Sequence, residues 1–180
     1  MRYPAQETAE KHDRIVAAAS RLFRERGFEN VTVAEVMKAA GLTHGAFYNH
    51  FESKEALMSA AVEHAMRGTL AGVEKSFTTP KRRRAYIERY LSTRHRDTPA
   101  TGCAMAALSG EIRNQPEVKK AFTAELKEIV AAMGGVRGEA LTELATVVGA
   151  MALARAVDDE KFSLEILREV RRRLDAGHAG

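Results

Sequence analysis

The sequence predicts an all-α fold, with an N-terminal three-helix helix-turn-helix domain and a C-terminal helical bundle, about nine helices in all. Apolar residues recur at helical spacing along most of the chain. The 180 residues include only four prolines, and few runs of β-branched residues interrupt the helical pattern. Apolar residues make up 45% of the chain, which suits a globular protein better than a disordered one. We expect the domains to span residues 1–53 and 54–180.

The first predicted helix runs from about Thr8 to Arg26, after a loose arm of residues 1–7. Ile15 and Phe23 belong to the apolar face of this helix. Gly27 follows Arg26 and can adopt a positive φ, so we expect it to end the helix.

Residues 31–57 carry the pattern on which the functional interpretation depends. Thr32 can cap one short helix with its hydroxyl, and Gly41 can end that helix. Phe47 and Phe51 lie one helical turn apart, so both rings can face inward while their neighbours face outward. Two short helices joined by a tight turn form a helix-turn-helix, whose second helix enters a DNA major groove.

This stretch resembles the DNA-binding domain of the TetR family of bacterial transcriptional repressors. The resemblance is carried by Thr32, the turn sequence AAGL at 39–42, the pattern T-x-G-x-F-Y-x-H-F at 43–51 and the sequence SKEAL at 53–57. It covers roughly residues 12–62. Thr43 and Ser53 are each placed to cap the helix that follows.

The resemblance implies a set of DNA-binding residues, namely Thr32, Thr43, His44, Gly45, Ala46, Tyr48, Asn49, His50 and Lys54. Thr43, Tyr48, His50 and Lys54 match positions that contact phosphate in the family. Hydroxyl and imidazole groups donate to phosphate oxygens, and Lys54 adds charge near a helix N-terminus.

The remaining members of this set have different predicted roles. Gly45 lacks a side chain where the helix must lie close to DNA. His44, Ala46 and Asn49 are the candidates for reading base edges, because Asn can pair bidentately with adenine and Ala can contact a thymine methyl.

The last two predicted helices differ from the others. Residues 139–157 are apolar almost all round and rich in small residues, so this helix needs burial on two sides. Ser163 is predicted to cap the final helix. The family resemblance implies a homodimer formed through these two helices, and the predicted dimer contacts are Leu141, Leu144, Val148, Ala152, Leu167 and Val170.

The middle helices, about residues 54–133, carry many Met, Tyr and Phe residues, which can fill a core or line an apolar pocket. In the family the same helices enclose an inducer pocket, so the resemblance implies a small-molecule effector. We expect a hydrophobic or aromatic ligand contacted by Met66, Tyr86, Tyr90, Cys103, Met105, Phe122 and Leu126. Residues 95–101 are expected to form a loop.

Composition and charge limit the functions and cellular locations that fit this chain. The net charge of +4 and the pI of about 9.3 permit nucleic-acid binding. One cysteine cannot form an intramolecular disulfide, and the N-terminus does not resemble a signal peptide, so we expect a cytoplasmic location. The longest nearly uncharged apolar run, 144–154, is about half a membrane span. We find no metal-ligand spacing, catalytic triad order or phosphate loop, and we predict no cofactor, no metal, no membrane partner and no enzyme activity.

The sequence therefore favours a homodimeric repressor that binds a pseudo-palindromic operator in double-stranded DNA and is released by a small hydrophobic ligand. Two alternatives remain open at this point. One is a thiol-based redox regulator that uses Cys103. The other is a helical small-molecule-binding protein whose helix-turn-helix no longer binds DNA.

Overall fold

A computed structural model describes residues 5–177, and this part of the chain contains helices and turns but no strand. In chain order the helices are α1 (Ala5–Arg26), α2 (Val33–Ala39), a 3₁₀ segment (His44–Asn49), α3 (Lys54–Ser76), α4 (Pro80–Tyr90), α5 (Thr93–Asp97), a 3₁₀ turn (Pro99–Thr101), α6 (Ala104–Ile112), α7 (Pro116–Ala132), α8 (Arg137–Ala156) and α9 (Glu160–Gly177). The all-α prediction is confirmed. We call the segment His44–Asn49 the recognition segment.

Several helix boundaries follow directly from local sequence. Gly27 and Gly41 adopt φ values of 81° and 71°, a backbone conformation that favours glycine, and each ends the helix before it. Thr79 caps α4 by accepting a hydrogen bond from the amide of Arg82, with Pro80 in the first turn.

The beginning of α1 and the predicted loop at 95–101 differ from expectation. Helix α1 begins at Ala5, so residues 5–7 are helical, and the rest of the predicted arm, 1–4, lies outside the described residues. The expected loop contains the end of α5 and a 3₁₀ turn. Helix α5 forms because the Ser92 hydroxyl accepts a hydrogen bond from the His95 amide at 3.2 Å, which caps a helix that periodicity alone does not indicate.

Ser163 does not cap the final helix, so that prediction is wrong. Helix α9 begins three residues earlier, where Asp159 Oδ1 accepts hydrogen bonds from the amides of Lys161 at 2.8 Å and Phe162 at 3.1 Å. Ser163 is 2% exposed inside the helix, and its hydroxyl donates to the Ala154 carbonyl at 2.6 Å. The hydroxyl is therefore satisfied by joining α9 to α8.

Helix α3 connects the two ends of the molecule. It packs against α1 on the N-terminal side and lies along α7 on the C-terminal side, while α8 pairs with α9. One continuous apolar core includes Phe23 and Phe47 near the N-terminus and Ile129 and Met151 in the bundle. The domain boundary between residues 53 and 54 stays a prediction, because this core crosses it. Over the described residues, no helix is both long and apolar enough to span a membrane.

Candidate nucleic-acid interface and ligand cavity

A capping box fixes the start of α2. The Thr32 hydroxyl accepts from the Glu35 amide at 3.3 Å, and the Thr32 amide donates to the Glu35 carboxylate at 2.8 Å. The hydrogen bonds that the Glu35 carboxylate accepts from the Thr32 amide, the Thr32 hydroxyl and the Arg26 guanidinium lower the pKa of Glu35 to about 2. The Thr32 hydroxyl donates its hydrogen bond to the Glu35 carboxylate. Thr32 therefore positions α2 and has no free hydroxyl donor for a phosphate.

Two buried rings hold the recognition segment against the domain. Phe47 is 1% exposed and Phe51 is 7% exposed, and their ring centroids are 5.8 Å apart. The segment is a 3₁₀ helix, and Thr43 precedes it in an extended conformation. Within the described chain the Thr43 side chain makes no capping hydrogen bond, so the prediction that it caps this helix is wrong. Its hydroxyl is left free to meet another molecule.

The outward side of the recognition segment is formed by exposed residues. Thr43, His44, Gly45, Tyr48 and Asn49 are all exposed, and Tyr48 reaches 71%. The structure thus brings five of the nine predicted DNA-binding residues to one accessible face.

Three other predicted residues are partly enclosed. Ala46 is half-buried against the core, and the Lys54 ammonium donates to the Phe28 carbonyl at 2.7 Å. His50 is half-buried with its ring centroid 6.0 Å from that of His12. Burial, followed by the charges of His12 and of a nearby lysine, lowers the pKa of His50.

A cavity of about 550 Å³ lies between the C-terminal end of α1, helices α3 to α5 and the turn before α6. Three predicted ligand contacts, Tyr86, Tyr90 and Cys103, line it. Met105 lines a separate void of only about 20 Å³. The other three predicted contacts do not reach the cavity: Met66 is 0% exposed in the core, and Phe122 and Leu126 are half-buried elsewhere against that core.

The lining of this cavity is basic, which differs from the apolar lining expected from sequence. Its titratable members other than tyrosine and cysteine are Arg24, His64, Arg89, Arg94 and His95. Across residues 5–177, no aspartate or glutamate lines it. The sequence offered one local signal that was missed, because Arg89 follows Tyr86 by one helical turn and its guanidinium lies 5.2 Å from the centre of that ring.

His95 is held as one neutral tautomer. Its Nδ1 lies 2.7 Å from the Tyr90 carbonyl, which can only accept, and its Nε2 lies 3.0 Å from the Cys103 amide, which can only donate. Nδ1 therefore carries the proton. Burial lowers the pKa of His95, and the nearby guanidiniums of Arg155 and Arg89 act in the same direction.

The two tyrosines of the cavity remain protonated. Burial raises the pKa of Tyr86 to about 12 and the pKa of Tyr90 well above its ordinary value. The Tyr90 hydroxyl is buried and, among the described residues, has no nitrogen or oxygen partner; its polar neighbour is the thiol of Cys103. The cavity wall therefore carries two neutral phenols beside its arginines.

Two arginines tie the cavity wall to other helices. Arg24 of α1 donates to the Gly102 carbonyl at 2.6 Å and to the Ser20 carbonyl at 2.9 Å. Arg155 of α8 donates to the His95 carbonyl at 2.7 Å. The turn before α6 is thus bonded to the first helix of the N-terminal domain.

The predicted dimer contacts divide into two groups. Leu141 is 44% exposed, and Leu144, Val148, Ala152 and Val170 are half-buried within their own subunit. Leu167 is 3% exposed, so it packs inside its own subunit and is removed from the predicted contacts. Leu153 of α8 and Phe162 of α9, which were not predicted, are 59% and 50% exposed.

Residues 15–61 match a family model described as bacterial regulatory proteins, tetR family. An uncharacterised HTH-type transcriptional regulator of Bacillus subtilis is 46% identical over 55 residues, which is 31% of this chain and 19% of that protein. An HTH-type transcriptional repressor of Rhodococcus jostii is 27% identical over 114 residues, which is 62% of this chain and 56% of that protein. The matches therefore span between a fifth and just over half of these relatives.

Solved structures extend the similarity over the whole chain. A TetR-family transcriptional regulator from Agrobacterium tumefaciens is 28% identical with a TM-score of 0.64, covering 91% of this chain and 96% of that one. Reduced NemR from E. coli has a TM-score of 0.78 at 20% identity, covering 92% of this chain and 95% of that one.

Proposed function

This chain belongs to the TetR family of bacterial regulatory proteins, and we propose that it is a homodimeric, DNA-binding transcriptional repressor controlled by a small ligand. The observation that carries the proposal is the exposed face of the recognition segment, where Tyr48 and Asn49 project from a backbone anchored by Phe47 and Phe51. Such a face fits a major groove, where Asn49 can reach a base edge and Tyr48 a phosphate. We place this activity in the cytoplasm, with double-stranded DNA as the partner.

The dimer follows from the exposed apolar surface of α8 and α9. Leu141, Ala145, Val148 and Ala152 lie at helical spacing along α8, and all four retain some exposure in the single subunit. A twin subunit that covers this stripe brings two recognition segments together around a two-fold axis. Binding to successive major grooves requires a separation of roughly 34–36 Å between them, and a pseudo-palindromic operator follows from the symmetry.

Control by a ligand follows from the position of the cavity. The same turn that forms its wall is bonded to α1 through Arg24 and Gly102. A ligand that shifts this turn also shifts α1, on which the recognition segment packs through α2. If the ligand binds more tightly to the arrangement with the wrong spacing, it weakens DNA binding by linkage.

Redox control through Cys103 is not favoured by the geometry. Its side chain is 4% exposed in the cavity wall. We expect Cys103→Ser to keep both DNA binding and the response to ligand, and loss of the response in this variant would support the redox alternative.

The test of the proposed function is selection of duplexes from a random DNA pool, followed by gel shifts with the selected sequence. We expect a pseudo-palindromic site, binding as a dimer and affinity that falls steeply with salt, because neutralised phosphates release counterions. Asn114→Ala, at an exposed asparagine in the turn between α6 and α7, is the control for Asn49→Ala. Equal affinity for single strands, or affinity indifferent to salt, would count against the proposal.

A further inference from the structure

We propose that the ligand of the 550 Å³ cavity is a small aromatic carboxylic acid, bound with its carboxylate on the arginines and its ring against Tyr86 and Tyr90. The binding site itself rests on the cavity lining, and only its effect on DNA rests on the proposed function. The volume lies within the range of about 300–1,000 Å³ typical of small-molecule pockets.

The positive charges that line the cavity are the evidence that its ligand is an acid. Arg24, Arg89 and Arg94 line the cavity, and in the part of the chain that the structure describes none of the three forms an ion pair. Arg24 is half-buried and donates only to carbonyl oxygens. Arg89 and Arg94 are exposed. Guanidinium groups bind carboxylates through paired, charge-assisted hydrogen bonds, so an acid in the cavity can pair with these side chains.

A neighbouring cavity has a different balance of charges. Its volume is similar, about 560 Å³, and its lining includes Arg96. There the guanidinium is already paired, at 2.7 Å with Asp97 and at 3.0 Å with Glu160. Four acidic residues line that cavity beside its arginines, Glu25, Asp97, Asp158 and Glu160, whereas among the described residues no acidic side chain lines the first cavity; Arg24 borders both.

The aromatic part of the inference comes from two tyrosines of α4 that line the same cavity. Tyr86 and Tyr90 have ring centroids 6.5 Å apart at an interplanar angle of 28°, so a flat ligand can contact both rings. Tyr90 is 8% exposed, and its hydroxyl lacks a nitrogen or oxygen partner among the described residues. Because that oxygen is enclosed, a ligand in the cavity contacts the Tyr90 ring and not its hydroxyl.

Two glycines of α3 shape the space above these rings. A Cβ at Gly72 would lie 3.3 Å from the Tyr86 ring, so this glycine allows the ring to pack against α3. A Cβ at Gly68 would meet no atom within 4 Å, so the cavity is open beside it. Substitution of Gly68 by a long side chain can therefore fill the cavity without displacing its wall.

Arg24 also connects the anion to the DNA-binding side. Its guanidinium bonds the Gly102 carbonyl at 2.6 Å, and a carboxylate that reaches the same group competes with that carbonyl. Release of Gly102 frees the turn before α6 from α1. Binding of an acid therefore alters the contact between the ligand cavity and the DNA-binding domain.

The test is calorimetric titration of the full chain, without DNA, with benzoate, 4-hydroxybenzoate and phenylacetate and with the primary amide of each. We expect at least one acid to bind about tenfold or more tightly than its amide, which has the same shape without the charge. Arg89→Gln and Arg94→Gln should each weaken that acid about tenfold. Arg82→Gln, on the same helix but outside the cavity, should leave affinity unchanged.

Gly68→Met adds a test of location, because it should abolish acid binding while thermal stability is retained. The proposal is overturned if no acid binds, if the amides bind as well as the acids, or if the charge-neutral variants and Gly68→Met bind like the parent protein. Gel shifts with the selected operator are measured separately. Acid binding without DNA release contradicts the proposed control of DNA binding and leaves the ligand assignment intact, whereas release by amides alone overturns the ligand assignment.

Discussion

The carboxylate of Glu111 accepts a hydrogen bond from the backbone amide of Phe28 at 2.7 Å, across 83 positions of sequence. Glu111 lies on α6, and Phe28 lies in the turn between α1 and α2. The other side of the Phe28 peptide is also held, because Lys54 donates to its carbonyl at 2.7 Å. Gly27 makes the approach possible, since a Cβ there would lie 2.5 Å from Glu111 Oε1. Helix α6 is thus bonded to the N-terminal domain near both of its ends, here and through Arg24.

Removal of the contact between Glu111 and Phe28 should weaken both the stability of the fold and the coupling between α6 and the N-terminal helices. We expect Glu111→Ala to lower the free energy of unfolding by about 1–3 kcal/mol, because the hydrogen bond involves a charged acceptor. Urea unfolding measures this change. Glu128→Ala, which removes an exposed carboxylate from α7, is the control and should change stability little. Equal effects of the two substitutions would contradict a specific role for the contact between Glu111 and Phe28.

Two glycines near α6 should respond to alanine in opposite directions. A Cβ at Gly102 would lie 2.8 Å from Arg155 Nη2 and 3.0 Å from His95 Nε2, so Gly102→Ala should cost about 1–3 kcal/mol of stability. A Cβ at Gly110 would meet no atom within 4 Å inside α6, so Gly110→Ala should stabilise by about 0.5–1 kcal/mol. Thermal unfolding of both variants checks the prediction, which is wrong if the melting temperature shifts in the same direction for both.

The sequence predicted those structural features that depend on residues close together in the chain. The recognition segment was identified because Phe47 and Phe51 lie one turn apart, and the cap at Thr32 because its hydroxyl precedes apolar residues at helical spacing. Ser163 was misassigned because a serine within a helix can bond a neighbouring helix instead of a free amide. Local spacing therefore locates helices well and their first residues less well.

The charge of the cavity lining could not be predicted from local sequence spacing. Arg24, Arg89 and His95 come from three different helices, and only packing places them around one space. The residue types of the middle helices predicted an apolar site, because Tyr86, Tyr90 and Cys103 lie among apolar residues in sequence. The basic side chains that decide the ligand class sit at positions that a helical pattern assigns to a solvated face.

Within the recognition segment we expect a division between affinity and specificity. Tyr48→Phe removes a donor to phosphate and should weaken binding to all duplexes alike. Asn49→Ala should relax preference at one position per half-site, with a loss of discrimination of about 1–3 kcal/mol. Selection from a random pool with each variant measures both effects. An unchanged selected sequence for Asn49→Ala would show that another residue reads that base.

Stability should fall as the solution becomes mildly acidic. Burial keeps the pKa of folded His95 below its ordinary value of 6.5, so the unfolded chain binds a proton first as pH drops. The stability contributed by neutral His95 is therefore complete above pH 6.5 and is lost as pH falls toward its folded pKa. His50 changes the stability with pH in the same direction, because its pKa is also lowered by burial.

His95→Gln should reduce this pH dependence without abolishing it. Urea unfolding at pH 7.5, 6.5 and 5.5 gives the slope of stability against pH for the variant and the parent protein. The slope is compared, because the substitution also changes the hydrogen bonds to Tyr90 and Cys103 and so changes absolute stability. An unchanged slope would mean that His95 does not take part in the acid sensitivity.

The final prediction concerns the surface of α8. Ala152→Glu should break the dimer, but Ala152 is half-buried in its own subunit, so loss of folding could produce the same result. Ala145→Glu is the sharper test, because Ala145 is exposed and lies on the same face, one turn after Leu141. An unpaired charge buried between two subunits should raise the dissociation constant at least about a hundredfold, or about 3 kcal/mol.

The control is Ala124→Glu, the same substitution at an exposed alanine of α7. Light scattering after size-exclusion chromatography gives the mass of each variant, and gel shifts give its affinity for the selected operator. We expect Ala145→Glu to be a folded monomer, which should melt like the parent protein diluted until its subunits separate. It should also lose operator binding, because a single subunit contacts only one half-site and binds weakly. An intact dimer in Ala145→Glu places the interface on another face of the protein.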